Sequence, residues 1–201
     1  CGEGHTVRAA KDRGSALSVG YDTTKQGNFS WDETDSSLFT NWDAIKDSGP
    51  YDVVVLYDVI DHATNPAEML TQVRGVTNSN STIYLLAHPW CGRHGGHLYH
   101  EFNYAFAHIV FTDSELRDMG VWKDYGVQKI ANPINRYKAL LTASFFIAKS
   151  DIVKDPVEEF FRQPIIQNRI ITRLNYVNPN LATFPRFQME QSFHEYVLKT
   201  K

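Results

Sequence analysis

The sequence predicts an α/β protein: a doubly wound, mostly parallel sheet with helices on both faces and a C-terminal appendage. Two short runs, 51–57 and 82–87, are rich in Val, Ile and Leu instead of alternating, as strands buried on both faces are. Segments with helix-cap signals separate such runs, and repeated strand–helix–strand units pair their strands in parallel. A length of 201 residues suits one α/β domain. That domain is read as residues 1–150, followed by a helical or irregular extension over 151–201.

In chain order, 4–13 reads as a short helix stopped by Gly14 at a C-cap position, and 16–21 as a strand that closes at Asp22. Residues 23–50 are polar, so loops are expected, with a short strand or turn near 38–42. After the strand 51–57, Asn65 caps a helix, Pro66 takes its first position and Glu68 completes a capping box. Met69, Leu70 and Val73 form its apolar face and Gly75 its end. The strand 82–87 leads into a His- and Gly-rich stretch, 88–100. The apolar run 102–111 is helical or extended, and its Phe102, Tyr104, Phe106 and Phe111 are expected in the core. A nucleobase platform would carry basic residues among them, and none interrupts this run. Thr112 and Glu115 form the capping box of a short helix ending by Gly120. Segments 127–130 and 141–148 are expected as a closing pair of strands. Beyond Asp151, four prolines punctuate a tail with helical stretches at 157–161 and 167–174, suited to packing on the domain or on a protein partner.

A net charge of −3, with no long run of one sign, argues against a dedicated nucleic-acid surface. No apolar run approaches the roughly 20 residues of a membrane helix, and no signal-peptide pattern is present. Two cysteines, Cys1 and Cys91, make no disulfide framework, so a reduced, cytoplasmic setting is expected.

In open α/β sheets, ligands bind beyond the carboxyl ends of the strands, so the residues that follow each strand carry the functional reading. Cys1-Gly2-Glu3-Gly4 places two glycines before a helix. Glycine lets backbone approach a ligand closely, and a helix N-terminus offers free N–H groups to an anion. Asp22, at the end of the next strand, suits the two hydroxyls of a ribose. Tyr57-Asp58-Val59-Ile60-Asp61-His62 follows the buried strand at the same sheet edge. A dinucleotide fingerprint would need a third glycine where Val7 stands.

Together these segments resemble class I S-adenosylmethionine-dependent methyltransferases. Cys1 to Gly4 match the second half of the acidic-x-Gly-Cys-Gly-x-Gly motif. Val19 to Asp22 resemble that family's second-strand ending, and 51–54 with 59–62 its fourth-strand segment. The resemblance covers residues 1–150. It implies a Rossmann-like sheet of order 3-2-1-4-5-7-6 with the seventh strand antiparallel, and S-adenosylmethionine as cofactor. It places the first strand and its acidic residue upstream of Cys1, so preceding sequence is expected. By the same resemblance, Cys1, Gly2 and Gly4 line the methionine part of the cofactor, and Asp22 holds its ribose. Asn41 or Asp43 lies near the adenine, and Tyr57 and Asp58 stand beside the cofactor.

Methyl transfer needs alignment of donor and acceptor, plus a general base when the acceptor is a hydroxyl. His62 and His88 follow core strands and are the candidates for that role. The glycines of 88–100 would let this loop move over an acceptor, with Trp90, Tyr99 and its histidines in reach. His94, His97 and His100 with Cys91 suggest a metal, but Gly95-Gly96 disfavours the helix that would fix them, so no metal site is expected. The acceptor is read as a small molecule or saccharide. The competing reading is a methyltransferase-like module with little activity that serves in an assembly.

Overall fold

The computed structural model describes residues 1–23, 37–90, 92–98, 101–122, 134–154, 163–177 and 189–201, without side chains at 134–136 and 173–177. Two compact units emerge: residues 1–51 with 75–78, and residues 52–74 with 79–201.

The first unit holds α1 (His5–Asp12), β1 (Gly20–Tyr21), β2 (Leu38–Phe39) and α2 (Trp42–Ser48). Gly14, at φ 89°, ends α1 as expected. Its N–H donates to the Lys11 carbonyl at 2.9 Å and that of Ser15 to Ala10 at 3.0 Å, a Schellman closure. The strand expected over 16–21 shortens to Gly20–Tyr21, parallel to β2. Ser18 instead donates its hydroxyl to the Val7 carbonyl at 3.1 Å, which ties the segment to α1 and away from a strand partner. A Cβ on Gly20 would lie 2.9 Å from Val7 Cγ2 and 3.0 Å from Cys1 Sγ. The glycine that admits close helix–strand packing therefore sits on the strand, opposite the valine on the helix.

The second unit is built on a four-stranded sheet ordered β3-β4-β6-β5, where β3 is Tyr51–Tyr57, β4 Thr77–Ala87, β5 Phe145–Lys154 and β6 Gln191–Thr200. β3 and β4 ascend together: Tyr51 N–H bonds the Val76 carbonyl at 2.9 Å, and Asp58 N–H bonds that of Leu86 at 3.1 Å. β6 runs antiparallel to both neighbours, with Ala87 opposite His194 and Phe145 opposite Thr200. These neighbours reproduce the 4-5-7-6 half of the expected order, and β1–β2 the 3-2 step.

Helix α3 (Pro66–Gly75) connects β3 to β4. Asn65 Oδ1 accepts from Glu68 N–H at 3.3 Å, as a cap should. Leu70 and Val73 of α3 join Leu56, Ile83, Leu85, Tyr196 and Leu198 in the main core. The expectation that the 51–57 run is buried on both faces is not met. Leu56 faces this core, whereas Val53, Val55 and Tyr57 are exposed, because α3 packs on the Leu56 side.

Of the segment 141–148 expected as a closing strand, residues 145–148 belong to β5. Residues 141–144 end helix α6 (Ile134–Ser144), which runs directly into β5. Tyr137 and Leu141, one helical turn apart, both enter the main core, so this apolar pattern has the helical period. Segments 127–130 and 157–161 lie outside the described residues. The tail is also revised at its end: β6 occupies an interior place in the sheet. Its His194, Tyr196, Leu198 and Thr200 are buried while Glu195 and Lys199 are exposed, the alternation of a half-buried strand. β5 is an edge strand, and its Lys149, Asp151 and Lys154 are exposed, the charge pattern that protects a free edge.

Three further helices are α4 (Ala107–Val110), α5 (Asp113–Asp118) and α7 (Pro164–Val177). α5 carries the expected capping box between Thr112 and Glu115. The aromatic run belongs to the core: Phe106 packs with Trp90, Ile109, Ile166 and Ile170, and Phe102 stacks on Tyr104.

Candidate functional site

In the first unit, the glycine turn and the end of β1 meet. Gly2 and Gly4 adopt left-handed backbone, at φ 51° and 77°, which glycine reaches without the Cβ penalty. Gly4 also has no room for a side chain, since a Cβ would lie 2.9 Å from Leu38 Cδ2. It precedes α1 directly. Asp22 Oδ2 lies 2.9 Å from the Gly2 backbone nitrogen and 3.0 Å from that of Cys1. Asp22 N–H bonds the Phe39 carbonyl at 3.1 Å, so the aspartate is held at the shared carboxyl end of the two parallel strands. Asn41 follows β2 on the same side, and its Oδ1 accepts from Asp43 N–H at 2.9 Å as the cap of α2. Cys1, Gly2, Gly4 and Asp22 are thus brought together, while Asn41 and Asp43 serve the start of a helix.

In the second unit, the ends of β3 and β4 gather acidic and imidazole groups. Asp58 stands just past β3 in left-handed backbone, at φ 52°. His88, just past β4, places Nε2 3.2 Å from Asp58 Oδ1 and Nδ1 3.0 Å from the Ser192 carbonyl. Both ring nitrogens face acceptors, and an imidazole can donate from both only as the cation. Burial pulls the His88 pKa down, yet the bond to Asp58 and the neighbouring carboxylates outweigh it and the net shift is upward. That same bond holds the Asp58 carboxyl below its ordinary range. His62 moves the other way, its pKa lowered first by burial against the pull of Asp61. The two histidines expected as alternatives are therefore different groups: His88 is a donor at both ends and no proton acceptor, whereas His62 favours the neutral ring.

Asp61 lies beneath them, 1 % exposed. Its Oδ2 accepts from His88 N–H at 3.2 Å and is 3.3 Å from His97 Nε2. The His97 ring lies 4.3 Å from that of His62 and 5.6 Å from that of His88, centroid to centroid. Sequence reasoning passed over Asp61 and His97 as site residues. Asp61 had a signal, its place in the segment after a core strand. His97 had only its even spacing with His94 and His100, which says nothing of the turn that brings it back to β3.

The loop after β4 differs from its expected character. Trp90 is fully buried, so it is a core residue and not an acceptor contact. Gly92, Gly95 and Gly96 are places where no side chain fits: their Cβ atoms would lie 2.6 Å from the Gln191 carbonyl oxygen, 2.3 Å from that of Trp90 and 2.4 Å from His108 Cβ. Close packing, not freedom of movement, requires these glycines. Cys91, Tyr99 and His100 lie outside the described residues.

No family model matches the chain, and no curated protein does. Solved structures do. A SAM dependent methyltransferase from Archaeoglobus fulgidus superposes with a TM-score of 0.56 at 13 % identity, over all of this chain and 83 % of that one. The plantazolicin methyltransferase BamL, solved with a triazolic desmethylPZN analog and SAH, superposes at 0.53 and 15 % identity, over all of this chain and 75 % of that one. Its counterpart BpumL gives 0.51 at 15 % identity, over all of this chain and 74 % of that one. The fold is that of the class I methyltransferases. Asp22 directly follows β1 in the first unit, and Asp58 to His62 directly follow β3 in the second. Among the described residues, no helix is long and apolar enough to cross a membrane.

Proposed function

We propose that this chain transfers a methyl group from S-adenosylmethionine to a small-molecule or saccharide-like acceptor. The observation that carries the reading is the union of Gly2 and Asp22 at the carboxyl end of a parallel strand pair. The residues fit the cofactor. Among the described residues, no atom beyond its chain neighbours stands within 4 Å of where a Gly2 Cβ would be, so the turn has open space on that side. The α1 N-terminus suits a carboxylate, and a carboxylate such as Asp22 has acceptor sites enough for a second pair of donors. When bound, S-adenosylmethionine supplies an activated sulfonium methyl.

The chain's own residues then bind and align. Cys1, Gly2 and Gly4 hold the amino-acid end, Asp22 the ribose hydroxyls, and Asn41 or Asp43 the adenine side. His88 fixes Asp58 through its ring and Asp61 through its backbone. His62, neutral and exposed, is the group left to meet the acceptor.

Asp22→Ala should weaken binding of S-adenosylhomocysteine about 10- to 100-fold in isothermal titration, the worth of hydrogen bonds to a charged group. No binding to the unsubstituted protein would defeat the reading in favour of a module without cofactor. Binding that ignores the substitution would defeat the ribose assignment.

A further inference from the structure

The geometry points to a binding site for a divalent first-row transition-metal ion formed by Asp61, His62 and His97. The inference does not depend on the methyl-transfer reading. Each residue offers one ligand atom, and the three lie within 4.8 Å of one another. Around a tetrahedral zinc, ligands at about 2.0–2.2 Å stand roughly 3.3–3.6 Å apart. Asp61 Oδ2 and His97 Nε2, at 3.3 Å, already meet that spacing, and the remaining contraction is within reach of side-chain rotation.

Burial supplies an independent argument. Asp61 is 1 % exposed, and its Oδ1 is buried with no hydrogen-bond partner among the described residues. A buried carboxylate with an oxygen left without a donor costs free energy, and a cation held by the same carboxylate offsets part of that cost. Two imidazoles with one carboxylate suit zinc, iron, cobalt or nickel, whereas calcium and magnesium take sets made of oxygen.

His88 is excluded as a ligand because both its nitrogens are engaged. Its backbone N–H bonds Asp61 Oδ2, which fixes the carboxylate as outer-shell partners of metal sites do. His62 is exposed, so an ion has a way in, and three protein ligands leave a position open for a further oxygen. With the ion bound, His62 is a ligand and not a proton acceptor. Of the spacing-based set His94, His97, His100 and Cys91, this site shares only His97.

The test is titration of the metal-stripped chain with zinc alone, by calorimetry, and with cobalt alone, by visible absorption, both without cofactor. One ion per chain is expected, with the intense visible bands of a tetrahedral cobalt site. His62→Ala, at an exposed position, should keep the circular dichroism spectrum and weaken binding at least about 10-fold, the lower bound for loss of an outer-shell partner. Asp61→Asn should weaken it further, and His5→Ala, in the other unit, should leave it unchanged. Where Asp61→Asn fails to fold, the His62→Ala result decides. Absence of stoichiometric binding, or affinity unchanged in His62→Ala, would overturn the site. Because no cofactor is present, neither result bears on methyl transfer.

Discussion

Replacing Gly95 with alanine is expected to destabilise the second unit by about 3 kcal/mol, the upper part of the range for overpacking a filled site. The added Cβ would sit 2.3 Å from the Trp90 carbonyl oxygen and 2.5 Å from that of Pro89. Both are backbone atoms, so no rotamer change relieves the contact. Trp90 cannot retreat, since it is fully buried against Phe106, Ile109 and Ile170. A domain with about 5–15 kcal/mol of stability would lose a large share of it. Gly75→Ala provides the contrast. Gly75 ends α3 with nothing within 4 Å of its Cβ position, so the same substitution should stabilise by roughly 0.5–1 kcal/mol. Urea denaturation followed by tryptophan fluorescence reads both. Equal midpoints for the two variants would refute the packing account of this loop and return its glycines to a role in movement.

Acidification should remove a comparable amount of stability through His194. This side chain is buried on β6, and burial lowers its pKa from 6.5 to about 4. Its Nε2 lies 2.7 Å from Gln191 Oε1, an acceptor, and its Nδ1 3.2 Å from the Tyr196 hydroxyl. The neutral ring satisfies both, donating at Nε2 and accepting at Nδ1; the cation would turn a second donor toward the tyrosine oxygen. The folded pKa lies below the unfolded one, so the unfolded chain binds the proton first as pH falls. The stabilisation is complete above about pH 6.5 and is lost on the way down to pH 4, with about 2 kcal/mol gone at pH 5 and about 3 kcal/mol at pH 4. His194→Phe gives up two hydrogen bonds, so it begins lower, but its stability should decline less over the same interval. The measurement is the difference in slope between the two proteins in urea titrations from pH 7.5 to 4. Parallel slopes would rule out His194 as the source.

Much of the fold was legible because its signals are local. The Thr112–Glu115 box, the glycine stop after α1 and the Val-rich run of β3 each depend on residues within one turn or one strand. Where the reading failed, two periods competed or a neighbour decided. The pair Leu140-Leu141 fits a strand as well as a helix, and the buried partners of Tyr137 and Leu141 settled it as helix. β6 was hidden because His194, Tyr196 and Thr200 take inward positions that apolar residues normally fill. The His194 ring is tolerated there because Gln191 and the Tyr196 hydroxyl meet its two nitrogens.

The candidate site divides in the same way. Cys1, Gly2, Gly4 and Asp22 could be chosen from the chain alone, because a glycine turn before a helix and an acid after a strand are features of sequence order. The class I methyltransferase fold was also legible in the chain, through the resemblance of its motifs to that family. Tertiary structure decided which histidine does what. His88 became a double donor because the Ser192 carbonyl, from the far end of the chain, closes on its second nitrogen. His97 entered the site because tightly packed glycines fold its loop back over Asp61. Protonation and ligand geometry are set by what surrounds a group in space, and spacing along the chain does not encode that.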